Sequence, residues 1–358
     1  MTGIRALGPA DLPQVVSLYR SYLAWPHVAS EEELIAAFMR IFLDAPLYDP
    51  AIPSLVYEGA DGEVLGFLGS QVHRMQFEGR PIRLACSSSL VVAPVARQGG
   101  AGALMLRKHL AGRQDLTITD TAGGSTEYMW KRLGGSMHHT ASLTWLYPIH
   151  PVRMIVGLGL WRFGRCRWLP LARPLCWPVD AALSRWSRVD APHRVENLSD
   201  EPLSSQLLID HLQKEHQKVR LRPDYDVGSL DRLFHEMEHA RSKGRFIKKF
   251  ARGNRGEPIG SYILYLLPND ICEIVQLAPS RGREELLLRH VLHTAEQRHA
   301  AAVRGRLEPW LLEVLPRRTV MFSRVKFLFH TRDVAIHEAV RAGEALMTGI
   351  EGDMWMPT

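Results

Sequence analysis

Residues 91–110 read VVAPVARQGGAGALMLRKHL and place a strand, a glycine-rich loop and a helix directly after one another. The three glycines of this loop, Gly99, Gly100 and Gly102, let the backbone approach a ligand closely. Their amides, together with the positive end of the helix dipole, favour an anion such as a phosphate group. Arg97 adds a positive charge beside the loop. The stretch therefore predicts a phosphate-binding turn.

The same loop differs from the two common nucleotide-binding loops. No Gly-Lys-Ser or Gly-Lys-Thr follows the glycines, so the loop is not a P-loop. The glycine spacing also differs from that of the dinucleotide-binding fingerprint. We therefore expect a phosphate ligand of another class, or a glycine-rich turn without a ligand.

The elements around the loop predict a layered α/β (α+β) domain. Residues 1–150 read as two helices, three strands, a helix, a strand, a helix and a strand. Ser30 and Glu33 form a capping-box pattern at the start of the second helix. MHHTASLTWLYPI, residues 137–149, reads as the final strand. This order favours a mixed sheet covered by helices.

A second, remote copy of this domain is predicted in residues 190–358. GEVLG at 62–66 recurs as GEPIG at 256–260, and in both places two strands and a helix follow. A common hairpin turn is the alternative reading of this repeat. In the second copy, Gly282, Glu285 and Leu287 stand where the first has Arg97, Gly100 and Gly102, so we expect no phosphate-binding turn there.

The composition and the charge of the chain indicate which classes of protein it can belong to. The chain has 358 residues, of which 46% are hydrophobic and 23% charged, as in ordinary globular proteins. Its net charge of +6 equals the excess of seven arginines over one acid between residues 151 and 189. The basicity is therefore local, and we expect no nucleic-acid partner. The four cysteines lack metal-ligand spacing, so we expect no metal.

Residues 151–189 are predicted to be an Arg/Trp-rich linker or helical hairpin. Arginine next to tryptophan suits a peripheral contact with a membrane surface. The alternative is that Trp161 and Trp168 pack between the two domains. The longest uncharged apolar run, residues 154–161, is shorter than the ~20 residues that span a bilayer. Without a signal-like start, we expect a cytoplasmic protein.

The motif at 97–102 resembles the signature of the GNAT superfamily of acyl-CoA-dependent acetyltransferases. That signature is R/Q-x-x-G-x-G/A, and Arg97, Gly100 and Gly102 match it. IRALGPADLPQVVSLY (4–19) resembles the first strand and helix of the family, and WKRLGG (130–135) resembles its late aromatic segment. The resemblance spans about residues 3–147. Together with the repeat, it implies a tandem architecture with two copies of the GNAT domain.

The resemblance implies acetyl-CoA, or another acyl-CoA, as cosubstrate. The amides of residues 97–102 would bind the pyrophosphate, and the edge of residues 90–93 would pair with the pantetheine arm. These implied cosubstrate-binding residues are Leu90, Val91, Val92, Ala93, Arg97, Gln98, Gly99, Gly100, Ala101 and Gly102.

Family chemistry implies direct attack of an amine on the thioester, with a base, an oxyanion donor and an acid. The backbone amide of Val92 is the implied oxyanion donor. Asp120 and Glu58 are the candidate bases. Where the family often carries a tyrosine acid this chain has Trp130, and the nearby candidate, Tyr128, lies about 200° around an ideal helix from it.

Three functions stay open from the sequence. The first is an N-acyltransferase that acts on an amine, which is a small molecule, a glycan or a lipid-linked acceptor. The second is a non-catalytic CoA-binding or scaffold protein, which the missing tyrosine favours. The third is an aminoacyltransferase of the Fem type, against which the glycine loop counts. The sequence does not specify the acceptor, the acyl chain length or the oligomeric state.

Overall fold

The computed structural model describes residues 3–22, 30–44, 46–162, 180, 198–217, 219–240, 243–323 and 325–356. These residues form a mixed α/β structure with two mixed sheets, which confirms the predicted fold class. The strands are β1 Gly3–Ala6, β2 Leu55–Glu58, β3 Val64–Phe77, β4 Arg80–Val92, β5 Leu116–Ala122, β6 Ser136–Met137, β7 Thr144–Pro148, β8 Ser199–Pro202, β9 Leu221–Pro223, β10 Arg245–Arg252, β11 Pro258–Leu266, β12 Ile271–Pro279, β13 Ala302–Arg306, β14 Val320–Phe322 and β15 Lys326–Thr331.

Eleven α-helices lie in the described ranges, two of them single turns. The helices are α1 Leu12–Tyr22, α2 Glu31–Phe42, α3 Pro94–Arg97, α4 Ala101–Leu110, α5 Ser125–Arg132, α6 Pro151–Arg162, α7 Ser205–Glu215, α8 Val227–His239, α9 Glu284–Gln297, α10 Leu311–Val314 and α11 Val334–Arg341. The predicted capping box begins α2: Ser30 Oγ accepts from the Glu33 N–H at 3.2 Å, and Glu33 accepts from the Ser30 N–H at 2.8 Å.

Sheet one contains the strand that leads into the glycine loop. Its order is β1-β2-β3-β4-β5-β15-β6, and β9 pairs with the far part of β3. Every neighbouring pair is antiparallel except β4 and β5, which run parallel. The parallel pair places the strand before α4 and the strand after it side by side.

Sheet two has the corresponding order of pairing, β8-β10-β11-β12-β13-β7-β14, and its one parallel pair is β12 with β13. The GExxG segments occupy equivalent hairpins, where Gly62 (φ 81°) and Gly256 (φ 78°) both adopt left-handed backbone. This agreement supports the predicted duplication, which remains a prediction.

The chain divides into two compact units that are not continuous in sequence. The first contains residues 1–142, 218–242 and 325–358, and the second contains 143–217 and 243–324. The sequence patterns predict contiguous ranges instead, at 1–150, 151–189 and 190–358. The difference arises because β15 completes sheet one, whereas β7 joins sheet two.

The strand predicted over residues 137–149 is wrong as a single element. β6 ends at Met137, and a turn separates it from β7. His138 holds this turn: its Nδ1 accepts from the Ala141 N–H at 3.1 Å, and its carbonyl accepts from the Ser142 N–H at 3.0 Å. A side-chain-capped turn competes with strand pairing, which the alternation of apolar residues alone does not reveal.

The two faces of sheet one carry different cores. On one face, Phe38 and Phe42 of α2 contact Phe67 of β3 with ring centroids 5.8 and 5.3 Å apart. On the other face, Met105 of α4 and Trp130 of α5 pack in one buried cluster. Helices therefore cover both sides of β3 and β4.

Only part of the Arg/Trp-rich segment belongs to the described residues. Asp180 accepts hydrogen bonds from the N–H groups of Val152 and Arg153, at 2.9 and 3.1 Å, and so caps the start of α6. The side chains of Trp161 and Trp168 lie outside the described part, as does the rest of the predicted linker.

Two features are absent from the described residues. None of their helices combines the length and the apolar character that crossing a membrane requires. Nor do their His, Cys, Asp and Glu side chains form a group of three or more that could hold a metal ion. The metal-free expectation stays a prediction.

The residues after α11 belong, like α11 itself, to the first unit, and they bury a carboxyl group. Glu351 is fully buried, and its two oxygens accept hydrogen bonds from the Tyr225 hydroxyl and from the N–H and hydroxyl of Thr348. Burial raises the pKa of Glu351 above its usual range, and these hydrogen bonds offset the effect only in part. The C-terminal segment is therefore held by a carboxyl group that resists ionisation.

The return of β15 to sheet one generates a stability prediction. Phe329 of β15 is fully buried, so Phe329→Ala should lower the free energy of unfolding by about 3–5 kcal/mol. Phe322→Ala, on the exposed strand β14, is the matched control and should cost well under half as much. Urea denaturation followed by tryptophan fluorescence measures both. Equal losses would contradict the assigned packing of β15.

The buried Glu351 generates a pH prediction. Because its pKa is raised in the folded protein, the contribution to stability is present below about pH 4.3 and is lost as the pH rises toward the folded value. Glu351→Gln stays neutral at every pH and should not lose this stability. Its free energy of unfolding should therefore increase relative to that of wild type as the pH rises. Glu338→Gln, at an exposed position of α11, is the control. A stability difference between Glu351→Gln and wild type that stays constant from pH 4 to 8 would contradict the burial.

Candidate active site

The two parallel strands of sheet one separate after three residue pairs. β4 and β5 pair at Leu84–Leu116, Ala85–Thr117 and Cys86–Ile118 and do not pair beyond. β4 continues alongside β3 to Val92, and β5 continues alongside β15 to Ala122. A wedge, defined here as the gap between residues 87–92 and 119–122, therefore opens between the inner edges of the two strands.

A bulge in β4 turns its backbone toward the wedge. The register with β3 shifts between Phe67 and Gly69, and Ser89 takes a left-handed φ of 52°. Past the bulge, the Ala93 N–H donates to the Leu65 carbonyl at 2.8 Å. Neighbouring residues of an antiparallel strand point their backbone groups to opposite sides. The N–H and C=O of Val92 therefore point away from β3, toward the wedge.

The glycine loop ends at a helix start that no side chain caps. Gly100, with φ 71°, is the residue before α4, and it has no side chain to cap the helix. The N–H groups of Ala101, Gly102 and Ala103 have no acceptor within the helix. A Cβ on Gly100 would meet no atom within 4 Å, so open space lies above the loop. These features suit an anion.

Arg97 is held beside the loop by an aromatic ring. Its guanidinium carbon lies 4.7 Å from the ring centre of Tyr22 at the end of α1, and it donates to the Tyr22 hydroxyl. Its Nε donates to the Val92 carbonyl at 3.0 Å, and the Tyr22 hydroxyl donates to the same oxygen. The positive charge is thereby fixed next to the end of β4. Tyr22 was not among the predicted site residues.

Of the two candidate bases, Asp120 lies at the wedge. It is a buried residue of β5, and its Oδ1 accepts from the Asp353 N–H at 3.1 Å. Glu58 lies on β2, two strands from β4, and forms an ion pair with Arg5 at 2.7 Å. Asp120 therefore lies at the wedge, whereas Glu58 lies away from it and pairs with Arg5.

Tyr128 and Trp130 lie on different sides of α5, as helical geometry predicts. Tyr128 is 61% exposed, and its hydroxyl accepts from the Arg132 Nε at 2.9 Å. Trp130 is 1% exposed and packs with Met105 and Leu106. Trp130 therefore serves the core.

Sequence reasoning missed the residues that come from both chain ends. Tyr19 of α1 is buried, and burial followed by the charge of Asp353 raises its pKa to about 12, while a hydrogen bond with Ser89 acts in the opposite direction. Asp353 also accepts from the Thr121 hydroxyl at 3.0 Å. More than 200 positions separate Thr121 from Asp353, so no local pattern could have linked them.

The C-terminal segment also reaches β3. The Gln71 amide contacts the Met356 sulfur at 2.8 Å and the Ser88 hydroxyl at 3.4 Å, and all three residues are buried. This set places the end of the chain against the strands that flank the wedge.

In the second unit, the loop before the corresponding helix, α9, has two of its amides occupied by carboxylates. The Gly282 N–H donates to Glu284 at 3.1 Å, and the Arg281 N–H donates to Glu215 at 2.9 Å. The negative charges of these carboxylates would repel a phosphate at this helix start.

Neither a protein-family model nor a curated protein sequence matches this chain. Solved structures do. A GCN5-related N-acetyltransferase from Kribbella flavida superposes with a TM-score of 0.55 at 12% identity, over 96% of this chain and 73% of that one. A probable N-acyltransferase from Enterococcus faecalis V583 gives 0.58 at 11% identity, over 92% and 73%.

Eis1 from Mycobacterium abscessus gives a TM-score of 0.52 at 13% identity, over 95% of this chain and 76% of that protein. At these identities the likeness concerns the fold. In this chain the fold contains three local features: the parallel pair that separates, the bulge in β4 and the glycine loop before α4. The chain has the fold of the GCN5-related N-acetyltransferases.

Proposed function

We propose that the protein is a GNAT-type N-acyltransferase that moves an acetyl or longer acyl group from CoA directly to an amine. One observation carries the proposal: the wedge between β4 and β5 opens next to the uncapped start of α4. An extended arm and a terminal phosphate group can therefore bind side by side. One structural neighbour is named an N-acetyltransferase and another a probable N-acyltransferase, and these names support the same reaction class.

Acyl-CoA fits the residues present. The amides of Ala101–Ala103 and the charge of Arg97 would hold the pyrophosphate, and the backbone of residues 90–93 would bind the pantetheine arm as an added strand. The acyl-CoA supplies an activated thioester. We propose one such site, in the first unit, because Glu215 and Glu284 place negative charge at the loop before the corresponding helix of the second.

The polar groups at the wedge suit amine attack. The Val92 N–H would donate to the oxyanion that forms on the thioester carbonyl. Asp120 and Asp353 place two carboxylates at the end of β5, where one of them would accept the proton of the attacking amine. Because its pKa is about 12, Tyr19 stays protonated at neutral pH and would donate to the leaving thiolate. We therefore propose Tyr19, in place of Tyr128, as the acid.

A non-catalytic CoA-binding protein is the second candidate function. Trp130 favours it, because an indole buried in the core stands where related enzymes often carry their tyrosine acid. Release of free CoA thiol from acetyl-CoA with a panel of amines separates the two functions. Turnover with any amine supports the enzyme, and CoA binding without turnover supports the second candidate.

Paired glycine substitutions test the proposed pyrophosphate-binding site at the start of α4. Gly100 (φ 71°) and Gly282 (φ 73°) share a left-handed backbone and open space around a Cβ, so valine imposes similar strain at both. Gly100→Val should weaken acetyl-CoA binding at least tenfold in calorimetry, because its side chain enters the space above the α4 amides. Gly282→Val should bind as wild type does. Equal effects of the two substitutions, or two equivalent sites per chain, would contradict the assignment.

The acid is tested by paired tyrosine substitutions. Tyr19→Phe keeps the ring that packs on Phe38 and removes only the hydroxyl. It should lower kcat about 100-fold, the lower end of the range for a general acid. Tyr128→Phe should stay within a few-fold of wild type, because that hydroxyl is exposed. The reverse ranking would show that Tyr128 serves the leaving group.

A further inference from the structure

A pocket that charged side chains help to line lies in the first unit, apart from the wedge. Its volume is about 250 Å³, and residues 46–48, 72–74 and 224–226, with the start of α8, line it. It is located at the edge of β3 between Leu68, the last partner of β2, and Met75, the first partner of β9. Because drug-sized ligands occupy about 300–1,000 Å³, the pocket suits a smaller molecule.

The wall of the pocket contains a histidine whose hydrogen bonding is incomplete. His73 is 5% exposed, and within the described residues its Nε2 has no hydrogen-bond partner. Burial lowers the pKa of His73 to about 4, so the ring is neutral at physiological pH. A neutral imidazole offers one donor and one acceptor. A buried polar atom without a partner destabilises the folded protein, and a polar ligand that bonds to it can recover that loss.

Charges of both signs line the same pocket. Both arginines line the pocket, and neither the Arg74 nor the Arg232 side chain forms an ion pair or hydrogen bond with another described residue. Asp224 accepts from the Gln76 amide through Oδ1 at 2.9 Å, which leaves Oδ2 without a partner in that part of the chain. Asp226 is bound by Ser229, whose hydrogen bonds lower its pKa, and the charges of both arginines lower it further. The pocket therefore carries two positive and two negative side chains.

We propose that this pocket binds a small zwitterion of the amino-acid class. Its carboxylate would pair with Arg74 and Arg232, and its ammonium would pair with Asp224. A simple anion would meet the two aspartates, and a simple cation would meet the two arginines. A ligand with both charges satisfies the two sets at once, and His73 adds a neutral hydrogen-bonding group.

This site goes beyond the proposed acyl transfer. His73 lies three residues along β3 from Ser70, which pairs with Ser87 at the near end of the wedge. At about 3.4 Å per residue, this is a distance of roughly 10 Å along the strand. The proposal therefore concerns a second bound molecule, and it stands whether or not the wedge binds acyl-CoA.

Calorimetry on the full chain tests the class of ligand. A panel of free L-amino acids is titrated, followed by the N-acetyl and carboxamide derivatives of the tightest binder. We expect at least one amino acid to bind, and each derivative, which lacks one charge, to bind at least tenfold more weakly. The absence of binding across the panel, or a derivative that binds as well as its parent, would overturn the proposal.

Substitutions test the location. Arg232→Gln and Asp224→Asn should each weaken amino-acid binding at least tenfold. Arg341→Gln removes an exposed arginine of α11 outside the pocket and should change nothing. Unchanged thermal unfolding of each variant shows that it is folded, and acetyl-CoA titrations follow the wedge separately. Wild-type amino-acid affinity in both pocket variants would overturn the assigned site.

Discussion

The parallel pairing of β4 with β5 ends after three residue pairs, and the proposed chemistry depends on that separation. Each strand keeps a partner on its outer side, β3 for β4 and β15 for β5. Within the described ranges, no strand pairs with their inner backbone groups beyond Cys86 and Ile118. Backbone N–H and C=O groups need partners, so an extended ligand that carries amides can take the place of a strand.

Segments from a distant part of the sequence position β5 at the wedge. β15 comes from the last tenth of the sequence and fixes the outer edge of β5. The segment after α11 then adds Asp353 beside Asp120 and is held by the buried Glu351. The candidate carboxylates are thus positioned by sheet pairing and burial, whereas the phosphate-binding amides are positioned by a local turn.

That difference explains what the sequence could predict. The glycine loop at 97–102 is local: its residue types and spacing determine a strand, a turn and a helix start, and the structure has all three. The burial of Trp130 and the exposure of Tyr128 follow from helical period. The exchange of β7 and β15 between sheets and the approach of Asp353 to Thr121 depend on long-range pairing, which one sequence does not display.

Hydrogen exchange with and without CoA tests the central claim most directly. If acyl-CoA binds in the wedge and on the start of α4, CoA should slow exchange at the amides of Val92 and of Ala101–Ala103. The corresponding amides of residues 280–287 in the second unit should exchange at unchanged rates. Unchanged exchange at Val92 and Ala101–Ala103 under saturating CoA, or equal protection in residues 280–287, would contradict the account.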